Sequence, residues 1–210
     1  MKERGGIKMK KYYSVDVELS GRQLGVHSMI SLGACIVRDG NSQFYREIKP
    51  RSFAYEKPAM RVASMGLECL TLKLRKTDFY DPQHRFFRPE LVLRLLSREG
   101  VAPIAAMNDF LTWINQTKGE EEPILLAKPV RVDVPFIHWY LKEFCGNLGC
   151  LTESGVEDLE QSYRELVQRN GASLRELEIQ DTRSALHNAL DDAVYQALQF
   201  EKILELRKAN

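Results

Sequence analysis

The chain has 210 residues, 44% of them hydrophobic, and a formal net charge of +1; this suits one domain with an ample core and provides no global field to draw nucleic acid. Its four cysteines lack the number and spacing of a disulfide framework or a zinc site. No apolar run reaches spanning length and none follows the basic start MKERGGIKMKK, so a cytoplasmic protein without export signal or membrane anchor is expected.

Lys2, Arg4, Lys8, Lys10 and Lys11 read as a solvated lead-in, with residues 1–10 flexible. Residues 12–19, YYSVDVEL, alternate Tyr13, Val15, Val17 and Leu19 with Ser14, Asp16 and Glu18. A period of two predicts a strand with apolar side chains on one face and the acids on the other. Two unit charges about 4 Å apart repel by roughly 4 kcal/mol at an effective dielectric near 20. That face therefore needs either water over an exposed edge or a divalent cation, and hard oxygen donors suit Mg²⁺ and Mn²⁺. A loop over 20–28 leads to the apolar strand MISLGACIVR at 29–38, where Gly33 predicts a close backbone approach. Asp39-Gly40 is a hairpin turn signal, and residues 42–48 return as an antiparallel strand stopped by Pro50.

Residues 51–105 carry the weakest signals, with short helices expected over 59–70 and 90–98, the second ended by Gly100. Between them, 71–88 interleaves Lys73, Arg75, Lys76, Arg85 and Arg88 with Phe79, Tyr80 and Phe86. It reads either as a nucleic-acid surface, cations for phosphates and rings for bases, or as an insertion that packs its rings on the domain. An amphipathic helix follows over 105–117, with Ala106, Phe110, Trp113 and Ile114 on one face. ILLAK at 124–128 predicts a buried strand. Asp133 then opens a helix with Pro135 in its first turn and Phe136, Ile137, Tyr140, Leu141 and Phe144 as its buried stripe. His138 in that stripe reads as a satisfied histidine rather than a ligand. A short fifth strand is expected around 149–151, a helix over 157–169 and a capping box of Ser173 and Glu176. The last long helix falls within 182–207, with Leu190, Val194, Ala197 and Leu204 on its apolar side. Strands first, then helices alternating with strands, predict an α/β domain with a mixed sheet.

Alone, Asp133 reads as a helix N-cap and Asp192 as a solvated acid in the first turns of a helix. His187 lies five residues before Asp192, about 140° away on a regular helix. The two converge only if His187 sits in the loop leading into that helix. Together, however, Asp16-x-Glu18, Asp133 at a strand–helix junction and His187-x4-Asp192 resemble the DEDDh family of 3′–5′ exonucleases, which includes ribonuclease T, oligoribonuclease and proofreading exonucleases. VDVE, ISLGACIV, the DG pair and HNALDDAVYQA carry the resemblance, which spans about residues 12–204.

The resemblance implies a ribonuclease H-like mixed sheet flanked by helices, in a single exonuclease domain over 1–210 with a family-variable insertion region at about 52–100. It implies two Mg²⁺ or Mn²⁺ ions, Asp16 bridging both, Glu18 and Asp192 holding the first, Asp133 anchoring the second through water, and His187 as general base. The implied substrates are 3′ ends of single-stranded DNA or RNA, released as nucleoside 5′-monophosphates. A non-catalytic nucleic-acid-binding or scaffold protein of this fold is the alternative. The sequence departs from the family in three places: Leu19 and Ser20 follow Glu18 where Thr is common, Pro129 stands where Asn is common four residues before Asp133, and Asp191 adjoins Asp192.

Overall fold

The computed structural model describes residues 9–209. Its centre is a mixed five-stranded sheet in the order β3-β2-β1-β4-β5. The strands are β1 (Lys10–Leu19), β2 (Met29–Ile36), β3 (Asp39–Glu47), β4 (Glu122–Ala127) and β5 (Val156–Asp158). β1–β2 and β2–β3 are antiparallel, whereas β1–β4 and β4–β5 are parallel. Among the described residues no helix is long and apolar enough to cross a membrane.

The period of two in β1 divides the core. Tyr13, Val15, Val17 and Leu19 pack on one side against Phe110 and Ile114 of α4 (Pro103–Lys118) and Phe136, Ile137 and Tyr140 of α5 (Val130–Cys145). The other side is covered by α7 (Ala189–Ala209), which packs against β1, β2 and β3. Of the two alternatives for the acid-bearing face, this excludes the exposed edge: Ser14 and Glu18 are buried. Ala189, Ala193 and Ala197 are the buried positions, four apart, that bring the helix down onto the strands. Phe200 and Ile203 continue the contact, each worth about 1.5–3 kcal/mol of burial. The apolar side expected for this helix was thus rotated; Leu190, Val194 and Leu204 are only half-buried.

Other boundaries moved for identifiable reasons. Lys10 and Lys11 belong to β1, pairing with Glu122 and Pro123, while Lys2, Arg4 and Lys8 lie outside the described residues. The hairpin turn falls at Val37–Arg38, with Arg38 at φ 70°, and Asp39-Gly40 begins β3 across a bulge. The fifth strand is not at 149–151 but at β5, where Leu125 pairs with Val156. α5 starts at Val130, whose N–H donates to the Asp158 carboxylate at 3.2 Å, and Asp158 also caps α6 (Leu159–Val167) through Gln161 N–H. Pro129 is therefore the N-cap residue, and Asp133 and Pro135 lie farther inside the helix than the sequence suggests. The Ser173–Glu176 capping box is present.

The region 52–100 forms α1 (Lys57–Ala63), α2 (Leu72–Arg75) and α3 (Pro89–Glu99) around a satellite core of Met60, Leu67, Leu70, Phe87, Val92 and Leu96 beneath Ile30 of β2. It joins the main body at Gly66, where an added Cβ would meet His187 O at 2.2 Å. Gly33 bears out its expected role: a Cβ there would lie 2.2 Å from the backbone of Ala189 and Leu190. Gly33→Ala is therefore expected to destabilise the fold by about 1–3 kcal/mol, as overpacked core substitutions do. Gly40→Ala, with nothing within 4 Å, should stay within about 0.5 kcal/mol of wild type. Equal urea midpoints for the two variants would contradict this packing.

Candidate active site

Four acids from three elements converge where α7 begins. Asp16 and Glu18 come from the α7-facing side of β1, directly across from Gly33 and Ser31 of β2. Asp133 comes from α5; it is 4% exposed, and its Oδ1 accepts the Val17 N–H at 3.3 Å. It is thus not the helix cap that an Asp at such a junction usually is. Asp192 comes from the first turn of α7. Glu18, His187 and Asp192 each offer a ligand atom within 4.8 Å of the others. His187 does sit in the loop leading into α7, at φ 60°, so the loop–helix break removes the angular conflict. Left-handed backbone at a non-glycine residue is strained, and such strain gathers at functional sites.

The start of α7 is fixed by Asn188. Its Oδ1 accepts Leu190 and Asp191 N–H groups, and its Nδ2 donates to Gly66 O at 2.8 Å. Asp191 points away from the acids and accepts Ser184 and Ala185 N–H groups and the Ser184 hydroxyl. That settles which member of the Asp191–Asp192 pair faces the cluster. Three interactions escaped the sequence reading. Gln196 Nε2 donates to Asp16 Oδ1 at 3.0 Å, a placement legible in its spacing of four from Asp192. Asn188 before an apolar run was a readable N-cap. Arg183 Nη1 donates to Asp192 Oδ1 while its other nitrogens hold Asp181, and nothing in the sequence marks it.

Burial, followed by the charges of Asp133, Glu18 and Asp192, pushes the Asp16 carboxyl well above the ordinary range, against the hydrogen bond from Gln196. Burial, then Asp192 and Asp133, does the same to Glu18. Burial pushes Asp133 up to about 7, opposed by the Val17 N–H. Close acids that resist ionisation together, built from hard oxygen donors, fit one or more divalent cations. His138 is not part of this group: its Nδ1 lies 3.1 Å from Glu153, and burial lowers its pKa.

A groove of about 540 Å³ opens beside Glu18, lined by Leu19, Arg22, Pro58, Val62 and Val132. Leu19, one of the departures from the family pattern, therefore borders the acids, whereas Pro129 turns the chain into α5.

No protein-family model matches the chain. It is 28% identical over 202 residues to the 3′-5′ DNA exonuclease Cap18 of Escherichia coli, covering 93% of this chain and 92% of that protein. Among solved structures it resembles the zinc-bound E. coli exonuclease I complex with single-stranded DNA, with TM-score 0.59 and 12% identity over 97% of this chain. The chain spans 42% of the length of that exonuclease. It also resembles S. pombe Pop2p in a Mg²⁺- and Mn²⁺-bound form, with TM-score 0.57, 14% identity, 91% of this chain and 82% of that one. These likenesses, with the five-stranded mixed sheet, give the chain the ribonuclease H-like exonuclease fold.

An acid whose pKa is higher in the folded protein binds protons on folding. Metal-free stability from this cluster is therefore greatest at low pH and falls as pH rises from the ordinary carboxylate range to about 7, where Asp133 ionises. In EDTA, Asp133→Asn should flatten that fall and gain stability relative to wild type near pH 8, by an amount on the order of a few kcal/mol. Parallel stability–pH curves for the two proteins would show that the acids do not share a strained buried site.

Proposed function

We propose that this chain is a divalent-metal-dependent 3′–5′ exonuclease of the DEDDh type that releases nucleoside 5′-monophosphates from single-stranded DNA ends. The observation that carries this reading is the convergence of Glu18, His187 and Asp192 within 4.8 Å, beside the half-buried Asp16. The DNA preference draws on the Cap18 relative and on the single-stranded DNA held by the exonuclease I neighbour.

Asp16, Glu18, Asp133 and Asp192 would hold two ions. Such ions, when bound, polarise the scissile phosphate and stabilise the attacking and leaving oxygens. His187 supplies an imidazole nitrogen, within reach of Glu18 and Asp192, that can take the proton of the attacking water. Its loop is pinned by Asn188 to Gly66 and by Asp191 to Ser184, so the base is positioned by the same turn that places Asp192. Gln196 orients Asp16, and the Val17 N–H orients Asp133. The groove beside Glu18 is apolar where a terminal nucleoside would lie, with Arg22 at its wall.

With Mn²⁺ or Mg²⁺ the protein should shorten a 5′-labelled single strand stepwise, leave a circular strand intact and stop in EDTA. Cutting of the circle, or full activity in EDTA, would overturn the reading. His187→Ala should lower turnover by about 10²–10⁴-fold and keep most of the Mn²⁺-induced rise in melting temperature. Asp192→Asn should lose both activity and most of that rise. Loss of thermal stabilisation in His187→Ala would make the histidine a ligand instead.

A further inference from the structure

The segment 71–88 holds five basic residues against two acids in a nearly neutral chain, and its side chains divide into two groups. Phe87 is 1% exposed and seals the satellite core, whereas Phe79 and Phe86 are 49% and 48% exposed. Arg75 is committed to structure: it donates to the carbonyls of Leu70, Ser64 and Leu67 and so is not a phosphate ligand. Lys73, Lys76 and Arg85 are exposed and make no ion pair among the described residues. The Arg85 guanidinium lies 4.5 Å from the centre of the Phe86 ring, and Arg88 lies 6.0 Å from that of Phe79. Arg88 is also ion-paired with Glu90 at 2.7 Å, so the unpaired cations are Lys73, Lys76 and Arg85. Exposed rings in a segment that carries unpaired cations are a poor surface for water and a good one for an unpaired strand, whose bases stack while its phosphates are neutralised.

The segment is also braced against both sides of the active site. Arg61 of α1 donates to the carbonyls of Pro82 and His84, and α1 forms a wall of the groove beside Glu18. Across a cleft of about 320 Å³, Pro82 and Gln83 face Ala185 and Leu186, next to His187.

We propose that Phe79 and Phe86, with Lys73, Lys76 and Arg85, form a stacking platform for the single strand that leads its 3′ end into the active site. This rests on the exonuclease reading and adds where the strand upstream of the scissile bond is held. The platform takes bases by their faces, so it is tolerant of sequence, and it serves substrates of several nucleotides but not the terminal nucleoside alone.

The test compares wild type with Phe79→Ala/Phe86→Ala and with Lys73→Gln/Lys76→Gln/Arg85→Gln. Binding of fluorescent dT15 is measured in EDTA across a salt series, and Mn²⁺-dependent hydrolysis is measured on dT15 and on the p-nitrophenyl ester of thymidine 5′-monophosphate. The ring variant should bind dT15 about tenfold to a hundredfold more weakly. The cation variant should lower the slope of log affinity against log salt by about 2, or ~0.7 for each phosphate that is no longer neutralised. Both should keep the wild-type melting temperature and the wild-type rate on the small ester. Unchanged dT15 affinity in the ring variant overturns the platform, as does an equal loss on dT15 and the ester. A wild-type dimer that becomes monomeric in the ring variant without loss of dT15 affinity overturns it too, making the face a self-interface. Wild type that binds dT15 through these residues yet hydrolyses neither substrate leaves the platform standing and overturns the exonuclease reading alone.

Discussion

The backbone contact between Gly33 of β2 and the first residues of α7 governs the rest of the structure. With any side chain at that position the helix could not come within 2.2 Å of an ideal Cβ, and its N-terminus would be lifted off the sheet. The same approach covers Asp16 and Glu18, brings Asp192 and Gln196 onto them, and leaves His187 at the rim. Gly66 repeats the device from the other side, so the satellite core, the loop that carries His187 and the sheet meet at one tight junction. A helix N-terminus is also the end at which negative charge is best tolerated, which suits Asp191 and Asp192 in its first turn.

The cost of the arrangement is electrostatic. Four carboxyls are gathered, and burial penalises the ionisation of Asp16, Glu18 and Asp133. Single hydrogen bonds from Gln196 and from the Val17 N–H offset only part of this, and Arg183 offers the cluster a guanidinium at Asp192. Asp16, Glu18 and Asp133 are therefore most stable either protonated or beside a bound cation. The fold therefore holds its acids in place before any substrate arrives, with the sheet and two helices rather than the ligands themselves fixing their positions.

Much of this was legible in the chain. The alternation in 12–19 separated Asp16 and Glu18 from the α4/α5 core, and Gly33 announced the approach that α7 makes. The order of the acids and HNALDD carried the family resemblance. What could not be read was set by contacts distant in sequence. Asp158 fixes the start of α5 from 28 residues away, so Asp133 looked like a cap. The hairpin turn moved because a bulge, which only pairing with β2 creates, absorbed Asp39 and Gly40. The helices of 52–100 rest on a satellite core rather than on strong local patterns, and Arg75 looked like a phosphate ligand because its three carbonyl partners are invisible in a sequence. Val156–Asp158 was too short to signal a strand, and only parallel pairing with β4 makes it one.

The central claim is that the acid cluster at the start of α7 is a divalent-metal site. Crystals of the protein soaked in Mn²⁺ and measured by anomalous diffraction test it most directly. The account predicts manganese density among the carboxylates of Asp16, Glu18, Asp133 and Asp192, and none there in Asp16→Asn crystals treated alike. Manganese found only elsewhere on the molecule, or equally strong density at the cluster in the variant, would contradict it.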